Sequence, residues 1–176
     1  MSIFWNEVLK SQFIAAINML QKPIQDCPDK LWNASLWNDP NAPPGFSDFW
    51  YIAYHTLFWL DLYLSGAVDG FIPPEPFDLN ELDPQGVLPV KTITKDDLLD
   101  YLVHCRQKCL ETIENMDMEK THQPCEFPWS KGEISFAELQ LDNMRHVQEH
   151  GAQLNMFLGQ QADVSSRWVG RVKNTP

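Results

Sequence analysis

Apolar residues recur at steps of three and four in long segments of this chain, and clusters of proline divide those segments from one another. Proline removes a backbone donor and disfavours helix at the residue before it, so each cluster marks a break. Pro28, Pro40, Pro43 and Pro44 form one cluster, Pro73, Pro74, Pro76, Pro84 and Pro89 a second, and Pro124 and Pro128 a third. The first segment, from about Ser2 to Ile24, carries Ile3, Phe4, Val8, Phe13, Ile14, Ile17, Leu20 and Ile24 near a helical period, which predicts an amphipathic helix. Pro23 is expected to end or kink it near Gln21. The second, about Ser47 to Ser65, has Ser47 as its expected N-cap and Gly66 as its stop, and is apolar almost all round, as a central bundle helix is.

The third helix opens at "TKDDLL", where Thr94 caps and Asp96 and Asp97 complement the positive helix end, and runs to about Met116. Its inner face is Leu98, Leu99, Leu102, Cys105, Cys109, Leu110 and Ile113. The fourth opens at "SFAE", a capping box of Ser135 and Glu138, and is expected to close at Gly159. Its apolar stripe of Phe136, Leu139, Val147, Leu154, Phe157 and Leu158 has gaps filled by Asn143, His146 and His150, so these polar residues face inward. Four such helices joined by irregular segments predict an all-α four-helix bundle. The connection from about Gly66 to Ile93 is long enough to return along the bundle, which lets the second and third helices run parallel.

Length and composition narrow the picture. A chain of 176 residues, 44% hydrophobic and 21% charged, suits one globular domain, 1–176. A net charge of −11 opposes approach to a phosphate backbone, so no nucleic-acid partner is expected. The basic tail of Arg167, Arg171 and Lys173 is assigned no role. The N-terminus lacks a basic leader, and the most apolar run, Phe49 to Leu64, is 16 residues and carries His55 and Asp61, short of a membrane span. Its four cysteines are expected as reduced thiols and the chain in the cytoplasm. A homodimer is expected, because acidic bundles with broad apolar faces such as that of the second helix often share them.

The candidate chemistry lies in histidine. His146 and His150, four apart on a helix, share a face with Cβ atoms about 5–6 Å apart. Alone, the pair reads equally well as core histidines bonded to a carbonyl or carboxylate. His55 changes the balance, since a ring in the middle of the most apolar helix is costly unless hydrogen bonds or a metal hold it. Three imidazoles from two helices supply three ligands at about 2.0–2.1 Å to one divalent ion and leave a position open.

One His in the second helix and His-x-x-x-His in the fourth, within "YIAYHTLFWLDLYLSG" and "MRHVQEHGAQLNMFLG", resembles the DinB-like superfamily over nearly the whole chain. The resemblance implies an up-down-down-up bundle and a metal, zinc or nickel, held by His55, His146 and His150. It further implies a metal-dependent S-transferase or isomerase acting on a small-molecule substrate with a low-molecular-weight thiol such as bacillithiol, mycothiol or glutathione. The alternative class is a metal-stabilised bundle that acts through binding in stress response without turnover. No local signature selects a thiol or an acceptor.

"HVQEH" also fits the His-x-x-Glu-His order of the inverzincin metallopeptidases, with Glu149 as general base, but that family places a further Glu downstream. Only 26 residues follow His150, and Asp163 is their sole acid. A metallohydrolase is therefore the weaker reading, and a solvated Glu149 is preferred to a base or a group supporting the ligands. Asn143 and Gln153 flank the pair on nearby turns, where each could bond a metal-bound water or equally satisfy backbone. Cys105 and Cys109, four apart, read as small core residues rather than soft-metal ligands. His104 and His122 are expected at the surface. Aromatics crowd the loops, with Trp32, Trp37, Phe46, Phe127 and Trp129, and capping of the bundle ends is favoured over a substrate-facing lid.

Overall fold

The computed structural model describes residues 3–172 except positions 39, 41, 42 and 131, so Ser2 and Lys173 lie outside the described residues. Four long helices carry the fold: α1 Ile3–Asp26, α2 Phe49–Ser65, α3 Lys95–Glu114 and α5 Phe136–Ala162, with a short α4, Met118–His122, before the last. Two residue pairs, Pro124–Cys125 and Ile134–Ser135, form an antiparallel ribbon leading into α5.

The ends follow local chemistry. Thr94 accepts from the Asp97 amide and Ser135 from the Glu138 amide, so both expected N-caps are present. Gly66 stops α2 in the left-handed conformation at φ 80°, where its amide bonds the Leu62 carbonyl. Ser47 does not cap α2; Asp48 holds that place, with Phe49 as the first helical residue. The last helix does not close at Gly159 but runs a turn further, to Asp163 at φ 55°, whose amide bonds the Leu158 carbonyl. Nor does α1 end near Gln21. Pro23 lies inside it, and the Met19 carbonyl, four residues back and without a helical donor, is bonded at 3.3 Å by Asn155 Nδ2 from α5.

Cross-helix bonds give the directions. Lys95 Nζ reaches the Cys27 carbonyl and Asn6 Nδ2 the Ile113 and Met116 carbonyls, so α1 and α3 are antiparallel. Cys105 bonds the Leu57 carbonyl while Lys108 reaches Asp61 and Ser65, so α2 and α3 run parallel, as the long connection allows. Gln140 bonds the Tyr63 carbonyl and Asn143 the Leu60 carbonyl, so α5 is antiparallel to α2. The order is up, down, down, up. Each of α1 and α2 packs against both α3 and α5.

Thirteen of the 17 residues of α2 are buried. The apolar surface that led to the homodimer expectation is therefore covered within the chain. In α1 the inner stripe is Phe13, Ile14, Ile17, Leu20 and Ile24, whereas Phe4 and Val8, expected inside, are exposed. The inward group of that first turn is Asn6, which caps the carbonyls at the end of α3. Phe136, Leu139, Val147, Leu154, Phe157 and Leu158 of α5 are all buried. Gly151 lies on the same side: a Cβ there would meet the Leu20 backbone at 3.4 Å, so α1 crosses α5 closely beside His150.

No helix among the described residues is long and apolar enough to cross a membrane. Cys105 and Cys109 are fully buried core residues, as expected. His122 is exposed and bonds the Met118 carbonyl, while His104, also exposed, lies 3.5 Å from the fully buried Asp61, which in the sequence stood only as a polar break in the apolar run. Asp61 also accepts from Lys108 at 2.5 Å and Tyr101 at 3.0 Å, an ionic seam between α2 and α3.

Candidate metal centre

His55 reaches its place from the middle of α2, and His146 and His150 from successive turns of α5, antiparallel to it. One ligand-capable nitrogen from each ring lies within 4.8 Å of the others, the only such group of three His, Cys, Asp or Glu among the described residues. Each ring is part-buried, and each ring pair meets nearly edge-on.

Two of the three rings are oriented from behind. His55 Nδ1 lies 2.5 Å from Glu81 Oε1, and His150 Nδ1 lies 2.7 Å from Gln153 Oε1. Each oxygen accepts, so each Nδ1 carries its proton and Nε2 is left as the nitrogen with the free lone pair. His146 Nε2 lies 3.4 Å from His55 Nε2. Two ligands at about 2.0–2.1 Å on a tetrahedral ion are separated by roughly 3.3–3.4 Å, so this spacing suits a shared ion. His146 Nδ1 is buried without a hydrogen-bond partner among the described residues, as is Asn143 Oδ1 one turn earlier.

Burial holds the α5 imidazoles in the neutral form that binds metal. The His146 pKa is pushed down to about 3, first by burial, then by the His150 and His55 rings. That of His150 is lowered by burial, against a partial rise from its bond to Gln153.

Glu81 went unnoticed in the sequence. It sits in a single helical turn, Asn80–Leu82, within the long proline-rich connection, and its side chain is only 4% exposed. Besides His55 it accepts from the Tyr51 hydroxyl at 3.1 Å and from Trp59 Nε1 at 3.2 Å, so three donors from three consecutive turns of α2 stabilise its charge. A histidine with a carboxylate behind it is the arrangement that raises ligand basicity and fixes the ring. The only available signal was an acid in a long connection beside a helix rich in ring N–H and hydroxyl donors.

The remaining expected residues divide. Gln153 contacts His150 directly and so orients a ring. Asn143 is buried and bonds the Leu60 carbonyl at 3.2 Å, tying α5 to α2. Glu149 is exposed and is not among the residues lining the cavity described next.

A cavity of about 720 Å³ opens against His55 and His146 and is walled by Trp59, Tyr63 and Trp129. This is within the usual volume of small-molecule sites. Trp129, from the loop before α5, is 44% exposed, packs edge-on against Trp59 and stacks on the buried Phe127. The loop aromatics thus have different places: Trp32 and Phe127 are buried against the core, Trp37 is exposed, Phe46 packs on Tyr51, and Trp129 borders the centre.

No curated protein matches the chain. A scan of protein families matches residues 12–154, a span that contains all three histidines and Glu81, and on that match the chain belongs to the DinB superfamily.

Proposed function

We propose that His55, His146 and His150 hold one divalent ion, zinc or nickel, and that the chain is an enzyme joining or rearranging a low-molecular-weight thiol and a small-molecule substrate at that centre. The observation that carries the reading is convergence. Nitrogens from two helices meet within 4.8 Å, and two of the rings are turned toward the meeting point by Glu81 and Gln153. An all-imidazole set suits either metal. A divalent ion bound there lowers the pKa of a coordinated thiol or water, supplying a nucleophile near neutral pH.

The protein's own groups supply the rest. Glu81 accepts the Nδ1 proton of His55 and so keeps the Nε2 of that ring beside His146. Trp59 and Trp129 form an aromatic wall beside His55 and His146, and the cavity they line leaves that side of the triad open to a small molecule. An open face is what distinguishes a reactive site from a closed structural one, so turnover is favoured over a merely stabilised bundle. Glu149 has no part in this reading, and neither does peptide hydrolysis.

The test is titration of the wild type and of His55→Ala, His146→Ala and His150→Ala with zinc and with nickel, following thermal unfolding and bound metal together. The wild type is expected to bind stoichiometrically and melt higher with metal, since an ion that binds only the native state stabilises it. Each single variant is expected to lose most of that response, and the losses are expected to be non-additive because the ligands act as a unit. Equal responses in all four proteins would overturn the site.

A further inference from the structure

Resting on the metal reading above, we infer that the substrate or thiol accepted by this site carries a cationic group, an ammonium on an apolar body, seated in the mouth of the cavity away from the metal. The cavity is lined by the part-buried His55 and His146, by Trp59, Tyr63 and Trp129, and by the exposed Asp83 and Asp142 at its rim. No Lys or Arg is among the described residues that line it.

An aromatic face presents negative charge density, and a cation over it is attracted more strongly than a neutral group of the same size. Two carboxylates beside that wall add to the attraction and oppose a carboxylate on the ligand. Glu81 also lines the cavity, but its oxygens already accept from His55, Tyr51 and Trp59, so the mouth's selectivity falls to the two aspartates. Asp83 accepts only from the Gln85 amide among the described residues, and Asp142 pairs with Arg145 at a long 3.4 Å. Both partners of that pair are more than half exposed, so water screens it and leaves Asp142 able to take a second cation. The ligand is therefore two-ended: a soft or anionic donor toward the histidines and a cation toward the tryptophans. The molecule's net charge of −11 works in the same direction, drawing cations from solution and repelling anions.

Calorimetric titration of zinc-loaded protein with three thiols of equal length, aminohexanethiol, mercaptohexanol and mercaptohexanoate, separates the end-group effect from binding through sulfur. Hexyltrimethylammonium, titrated into metal-free protein, probes the mouth alone. The amine is expected to bind roughly 3- to 10-fold more tightly than the alcohol and the carboxylate more weakly than either, with the spread shrinking in added salt. Trp129→Ala and Asp142→Asn are expected to remove most of the amine's advantage, and Arg145→Gln to increase it. All three side chains are exposed enough for the fold to survive their replacement. Lys131, in the loop of Trp129 but outside the described residues, is changed to Gln in a parallel series so that its charge does not enter the comparison.

If zinc binds stoichiometrically yet the carboxylate binds as well as the amine, the cation inference is overturned and the metal centre stands. Hexyltrimethylammonium binding that depends on Trp129 in a protein unable to hold zinc supports the cationic mouth and removes the metal.

Discussion

Glu81 makes the histidine cluster directional. A carboxylate whose oxygens accept from a ring N–H, a hydroxyl and an indole has little freedom, so His55 cannot turn its Nε2 away from His146 without breaking those bonds. Replacing the carboxylate by an amide keeps the shape but removes the charge that raises the ring's basicity. Glu81→Gln is expected to weaken zinc binding by about 10-fold, within the range usual for groups that support metal ligands. Competition against a chromogenic chelator reads this directly, and an unchanged affinity would mean that His55 needs no support. Glu149→Gln, at an exposed position on the same helix as two of the ligands, is expected to leave affinity unaltered.

At the helices, two contacts set how closely the four rods approach. Gly151 lets the α1 backbone pass next to the second ligand turn. A methyl group there meets Leu20 backbone atoms at 3.4 Å, ordinary contact distance, whereas anything larger collides with main chain that cannot rotate aside. Gly151→Ala is therefore expected to be close to neutral, with helix propensity gaining about 0.8–1 kcal/mol against slight crowding. Gly151→Leu is expected to lose about 2–3 kcal/mol or more and to weaken metal binding by spreading α1 from α5. Urea unfolding with metal titration on each variant checks both statements. On the opposite side Asp61, fully buried, is met by Lys108 at 2.5 Å. Removing the lysine leaves a buried carboxylate with only Tyr101 and the distant His104 among the described residues. Since Lys108 is 27% exposed, Lys108→Met is expected to cost about 2–3 kcal/mol, below the full range for a wholly buried pair. The same urea measurement decides it.

Across the fold as one body, ionisable side chains buried in their neutral form govern behaviour in alkali. Burial pushes the Cys27 and Cys109 thiols from their ordinary value of 9.0 up to about 12, and those of Cys105 and Cys125 upward as well. Tyr51, Tyr54, Tyr63 and Tyr101 are also raised, burial again being the first cause. Between pH 9.0 and about 12 the unfolded chain has lost protons that the native chain keeps, so the unfolded state binds fewer and stability falls as pH rises. The melting temperature is expected to rise as pH climbs towards about 6.5, where the unfolded chain gives up the His146 and His150 protons that the native rings do not hold, to be flat from there to about pH 9, and then to drop steeply, with cooperative unfolding before the buried thiols ionise. A thermal series read by circular dichroism checks it. A disulfide reagent at mildly alkaline pH is expected to find no fast-reacting thiol in the native protein and four after denaturation. A fast native thiol would refute the burial argument.

Short-range physics explains what could be read in advance. Helical periodicity within a segment, a hydroxyl three residues before an unpaired amide at Thr94 and Ser135, and a glycine at a left-handed stop at Gly66 all act over a turn or two of chain. The sequence therefore determined the four long helices, the caps at Thr94, Ser135 and Gly66, and the inward direction of His55, His146 and His150. It also held the parallel course of α2 and α3, through the length of the chain between them. The tertiary structure decided whatever depends on a partner far along the chain. Pro23 stays inside α1 because Asn155 of α5 takes up the carbonyl that proline leaves without a donor. Phe4 and Val8 point outward because Asn6 turns inward to cap α3. Glu81, in a connection with no periodicity, is buried by the path of that connection across α2, and Trp129 borders the triad because its loop folds over Trp59. Local pattern says which face of a helix is turned inward; only packing says which charge and which ring will be waiting there.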